Sequence, residues 1–164
     1  MIDLPGRLAA LRALWLLVAA LLAVTVLPRF VVAPDLVVLV VVAVALRAGA
    51  TVGALTGLAA GWLVDLVPPG GVPLGASALM YAAIGAAIGL AQSSFRVSAL
   101  LPAFSAAAAA AAVQVLRAGL TIYQGRAVDW LVAAGTVLCT ALIGALLVPP
   151  LMHWERRLVQ RGLV

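Results

Sequence analysis

Apolar residues run through this chain in long blocks, broken by single arginines and by clusters of proline and glycine rather than by regular alternation. Blocks of that length predict helices, because strands occupy runs of about four to eight residues. Six helices follow: about Leu8 to Leu27, Val31 to Leu46, Ala50 to Val67, Leu74 to Gln92, Ala99 to Ile122 and Trp130 to Leu151. The second is the least regular, being uninterrupted only from Leu36 to Leu46. Pro34-Asp35 has the character of a helix start, with proline preset for a first turn and aspartate at the positive end of the dipole. A short span preceded by a re-entrant segment is the alternative there.

The third block carries Gly49, Gly53, Gly57 and Gly61, four apart, and then Asp65. Residues four apart share one helix face, so the pattern predicts a backbone-exposing seam for close helix packing that ends in a carboxylate. Helix 4 has its own small face, Ala78, Ala82 and Ala86 with Gly85 and Gly89, and helix 5 contains the alanine run Ala106 to Ala112. The expected architecture is all-α: one integral membrane domain over residues 1–164, a compact bundle of about six transmembrane helices.

Composition supports that class. The chain is 66% hydrophobic and 9% charged, with a mean hydropathy of +1.27, against about 25% charged residues in soluble domains. A span needs about 20 apolar residues, so 164 residues hold about six with short connections. A cleavable signal peptide is not expected, because the first block is long enough to span and no small-x-small site follows it. All ten basic residues are arginine, scattered singly with no basic stripe, which reads as topology and headgroup contact and argues against nucleic-acid binding. The one cysteine, Cys139, lies in an apolar block and reads as a small core residue.

The positive-inside rule orients the bundle. With six spans and a cytoplasmic N-terminus, Arg7, Arg12, Arg47, Arg96, Arg156, Arg157 and Arg161 lie inside, against Arg29 and Arg126 outside. Both ends are then cytoplasmic. The tail, residues 152–164, would anchor at the inner interface through Trp154, Arg156, Arg157 and Arg161. The turn between helices 3 and 4, Pro68-Pro69-Gly70-Gly71-Val72-Pro73, is external and stiff at its prolines.

Asp65 and Arg117 are the ionisable residues placed within spans. Both lie a turn or two from the outer end, so an ion pair between helices 3 and 5 is one expected answer to the cost of intramembrane charge; a donor from a neighbouring loop, or contact of Asp65 with interfacial water, is the alternative. Gln114, three residues before Arg117, is an additional hydrogen-bond candidate on the same face. No paired carboxylates, metal-ligand cluster, phosphate loop, nucleophile motif or dinucleotide fingerprint is present in the sequence. The expectation is a protein without catalysis, metal or cofactor.

The stretch from Pro34 to Tyr81 resembles the rod shape-determining MreD family. The resemblance rests on Pro34-Asp35-Leu36 opening the second helix, Arg47-Ala48-Gly49 opening the third, Gly61-x-x-x-Asp65 closing it, and Gly75, Ala78, Leu79 and Tyr81 after a Pro/Gly turn. It implies a non-enzymatic scaffold of the bacterial cell-elongation machinery in the cytoplasmic membrane. The partner it implies is MreC, and directly or through it MreB, RodA and a class B penicillin-binding protein. On this reading the glycine seam packs against a partner helix, while Asp65 with Pro68, Pro69 and Gly75 shapes the outer end; a homodimer is compatible. The alternative is a substrate-binding component of an energy-coupling vitamin transporter, a six-helix fold to which the MreD family is similar. A ligand pocket needs apolar and aromatic walls with convergent polar groups, and nine aromatic residues supply few.

Overall fold

The structure, a computed structural model, describes residues 5–66, 73–91 and 101–160. These form six α-helices: α1 (Pro5–Thr25), α2 (Leu36–Ala48), α3 (Ala50–Leu66), α4 (Ala76–Ala91), α5 (Leu101–Tyr123) and α6 (Trp130–Gln160), with one 3-10 turn at Leu27–Arg29. No strand occurs among the described residues. Two segments, Ala103–Tyr123 and Trp130–Val148, are long and apolar enough to cross a membrane by length and composition, and the other four helices are shorter apolar ones.

The bundle is organised around α2. Every residue from Val37 to Ala45 is buried, and α2 touches all five other helices. A helix that is apolar on every side has no solvent face to offer and takes the centre. At 13 residues it is about 20 Å long, short of the roughly 30 Å hydrocarbon core. Helix begins at Leu36 rather than Val31, because residues 30–35 are bends and irregular backbone. Pro34 disfavours helical backbone at the residue before it, and Asp35 supplies the cap.

At the other end of α2, Gly49 turns the chain in one residue. Its φ of 88° lies in the left-handed region where glycine carries no Cβ penalty. Its N–H bonds the Ala45 carbonyl at 3.0 Å and its carbonyl accepts from Gly53 at 2.9 Å. Gly49 thus ends α2 and starts α3, and it stays on the seam, where a Cβ on Gly89 would stand 2.5 Å from its carbonyl carbon.

The most extensive helix pair is α3 with α4. A Cβ on Gly53 would stand 2.5 Å from the Gly85 carbonyl, one on Gly57 would collide with the Tyr81 carbonyl, and one on Gly61 with the Ala78 backbone. Reciprocally, a Cβ on Gly89 would stand 2.5 Å from Ala50 Cα. The two backbones therefore meet directly along the seam, which α4 of the same chain occupies. Helix α6 runs on past Leu151 to Gln160, through Pro149 and Pro150.

Candidate functional site

The N-terminus of α2 opens into the interior rather than onto a surface. Asp35 is its N-cap: the carboxylate Oδ1 accepts from Val38 N–H at 3.1 Å, satisfying one of the first-turn donors that a helix leaves unpaired. The Asp35 N–H donates to Thr140 Oγ1 at 2.9 Å, and the Thr140 hydroxyl donates to the Thr136 carbonyl at 2.7 Å. Thr140 is ten residues into α6, about 15 Å from its start. Asp35 is therefore an interior residue held by a helix 105 positions away.

Its second oxygen gathers two more groups. Tyr81 from α4 donates its hydroxyl to Oδ2 at 2.7 Å, and Arg117 from α5 places Nη2 at 3.1 Å from the same oxygen. Arg117 Nη2 also donates to Tyr81 Oη at 2.7 Å, closing a triangle, and the guanidinium carbon stands 6.0 Å from the Tyr81 ring centre. Tyr81 is 1% exposed. The Asp35 side chain is 8% accessible and that of Arg117 is 41%, so the pair is dry on the carboxylate side and open on the guanidinium side. Anion, phenol and cation thus brace α2, α4 and α5, and Thr140 ties in α6.

Asp65 does different work. Its Oδ2 accepts from Gly75 N–H at 3.0 Å and Ala78 N–H at 3.4 Å. An aspartate at the end of α3 therefore caps α4 from outside, and the positive end of α4 offsets the unfavourable dipole of its own helix. Gly75 has φ 89°, which holds its N–H toward that carboxylate without Cβ strain. The expected pairing of Arg117 with Asp65 is thus replaced by Arg117 with Asp35, because Asp65 finds backbone donors ten and thirteen residues ahead. Gln114 lines a cavity of about 240 Å³ beside Arg117, with Thr121 and Asp129, rather than joining the triangle.

Part of the stretch quoted for the family resemblance converges here, while Arg47, Ala48 and Gly49 lie at the opposite end of α2. Gly57 and Gly61 lie against Tyr81 and Ala78, Asp65 holds the start of the helix that carries both, and Tyr81 reaches Asp35. Leu79 points outward, 70% exposed. Pro68, Pro69 and Arg161 lie outside the described residues. Trp154, Arg156 and Arg157 are on the α6 backbone, with side chains outside them. No group of three or more His, Cys, Asp or Glu able to hold a metal occurs among the described residues.

A second cavity, of about 320 Å³, lies over the triangle. Asp35, Tyr81, Arg117 and Thr136 form its polar side, and Ala23, Leu27, Phe30, Val37 and Val64 are among its apolar walls. Sequence reasoning set Asp35 at a helix start and Tyr81 in a motif without joining them. The available signal was the Pro-Asp step inside an apolar run, which marks a capped start at depth.

In comparisons with known proteins, the family model described as rod shape-determining protein MreD matches residues 7–160. No curated protein and no solved structure matches the chain significantly.

Proposed function

Since the chain belongs to the MreD family and so has a role in rod shape determination, we propose that it acts as a non-enzymatic scaffold in the bacterial cytoplasmic membrane. On this reading it binds the single-span protein MreC and helps organise lateral peptidoglycan synthesis, with MreB, RodA and a class B penicillin-binding protein reached directly or through MreC. All six helices cross the membrane and both termini are cytoplasmic.

The observation that carries this reading is the outer surface. Large apolar side chains stand exposed on every helix but the central one, among them Leu14, Leu55, Leu79, Phe104, Leu131 and Leu142. Soluble monomers rarely expose contiguous apolar patches beyond a few hundred Å², whereas lipid and a partner's transmembrane helix are both suited to such a shell. With the glycine seam filled by α4, partner contacts fall on the outward faces. The face put forward is the apolar groove of about 340 Å³ lined by Leu14, Trp15, Val18, Leu22, Leu39 and Leu147. There a partner helix would lie along α1 over the central helix.

Purification of the tagged protein from its own membranes in mild detergent, with mass spectrometry of the co-purifying proteins, tests this. MreC should be recovered with the wild type. It should fall severalfold with Val18→Trp, which fills the groove from its half-exposed rim, and not with Leu142→Trp on α6. Recovery of paired ATPases and a coupling subunit in place of MreC would instead establish the transporter reading.

A further inference from the structure

We propose that the cavity over the Asp35–Tyr81–Arg117 triangle is a binding site for a phosphate headgroup carried on an apolar chain, a membrane phospholipid bound at the outer end of the bundle. The inference goes beyond the scaffold role; it rests on the six-span orientation proposed above and not on which partner is bound.

The guanidinium provides the first argument. Among the described residues only Nη2 of Arg117 is hydrogen-bonded, to Tyr81 Oη and Asp35 Oδ2. The side chain is nevertheless 41% accessible and lines the cavity. The remaining N–H groups of the fork make no hydrogen bond to a described residue, and Arg117 lines both this cavity and the smaller one that holds Gln114 and Asp129. A planar guanidinium with free donors matches phosphate oxygens in geometry and charge.

The local charge is the second. Asp35 would repel an anion if its oxygens were free, but Oδ1 is taken by Val38 N–H and Oδ2 by Tyr81 and Arg117. The amino end of α2 adds roughly half a positive charge beside the carboxylate. With Arg117 set against Asp35, and Asp65, which also acts on Arg117 and Tyr81, set against the amino ends of α2 and α4, the site is close to neutral. Directed hydrogen bonds would then hold a phosphodiester monoanion, and a multiply charged ion is poorly accommodated.

The walls distinguish a lipid from free phosphate. Inorganic phosphate gives up a full hydration shell and requires donors on several sides, whereas here the donors lie on one side and Ala23, Leu27, Phe30, Val37 and Val64 line the rest. An amphiphile satisfies both surfaces. Ala23 and Val64 lie two residues from the ends of α1 and α3, and Arg117 lies six from the end of α5, about 9 Å along the helix. That depth is where a headgroup phosphate and the first methylenes of its chains would sit if drawn slightly inward.

The test uses the full-length protein, delipidated in detergent, and follows its thermal unfolding during titration. The probes are dioleoylphosphatidylglycerol, dioleoylglycerol with the same chains and no phosphate, and inorganic phosphate. Phosphatidylglycerol should raise the unfolding temperature saturably, as any ligand selective for the folded state does, and the other two should not. Arg117→Gln should weaken the phospholipid midpoint at least tenfold, but it also opens the triangle. Ala33→Leu, which fills the cavity from the segment before α2 and leaves the triangle in place, should weaken it equally. Equal stabilisation by dioleoylglycerol would overturn headgroup recognition, and saturation by inorganic phosphate alone would overturn the lipid assignment. Wild-type midpoints in both variants would overturn the site.

Discussion

Three donors converge on the Asp35 carboxylate, and a fourth bond runs from its own N–H to Thr140. Each group needs the others, since an unpaired charge away from water costs several kcal/mol. Arg117 is partly accessible, which reduces that cost on the cationic side. Tyr81→Phe, which removes two interhelical hydrogen bonds, should cost about 1–2 kcal/mol, within the range found for such bonds in membrane proteins. Asp35→Asn should cost more, and Asp35→Ala about 1 kcal/mol more again, because only alanine also removes the cap. The double variant Asp35→Asn/Arg117→Gln should be more stable than the sum of its singles predicts. Unfolding midpoints in detergent check this, and strict additivity would show that the pair is not coupled. The sequence identified Arg117 and Asp65 as the charges in need of partners and matched them by depth. It could not show that the carboxylate nearest Arg117 starts a helix deep inside the bundle, or that Asp65 is satisfied by the backbone of the next helix. Both facts depend on contacts between segments, which periodicity does not encode.

Among the elements the α3–α4 pair was the most legible, because side-chain size decides how close a backbone can come and glycines four apart predict a close crossing. The central place of α2 was not legible in the sequence, and its predicted span begins at Val31 although Pro34-Asp35 has the character of a helix start. What the spacing left open was the neighbour. The seam serves the adjacent helix of the same chain, which a short connection brings alongside, so it is not free to receive another protein. Gly49 is both the turn between α2 and α3, with its positive φ, and the end of the packed row, against Gly89. Gly57→Ala should destabilise the fold by about 1–3 kcal/mol, the usual cost of overpacking, because the new Cβ meets the Tyr81 carbonyl. Gly57→Leu should abolish monodisperse protein. Gly119→Leu on α5, where a Cβ has nothing within 4 Å, should purify like the wild type. Size-exclusion profiles and unfolding midpoints measure both, and equal tolerance at the two positions would remove the packing argument.

For the whole molecule the open quantity is how the bundle sits in the bilayer, and α2 decides it. If α2 crosses, seven arginines lie inside against Arg29 and Arg126 outside; if it does not, everything after it inverts relative to α1. A central helix of about 20 Å is too short to cross alone, but the non-helical residues 30–35 extend its reach. Ala33, Pro34 and Asp35 line a cavity, where non-helical backbone is tolerated at depth, while Phe30, Val31 and Val32 are exposed. With Cys139 replaced by serine, single cysteines at Arg29→Cys, Ala48→Cys and Arg126→Cys report the arrangement through an impermeant thiol reagent. Positions 29 and 126 should label in intact cells, and position 48 only after permeabilisation. Labelling of 29 and 48 on the same side would mean that α2 enters and returns without crossing. The triangle of Asp35, Tyr81 and Arg117 would then anchor a re-entrant helix rather than a span. The positive-inside count favours crossing, since it leaves two arginines to translocate, whereas the best non-crossing arrangement leaves three: Arg7, Arg12 and Arg126.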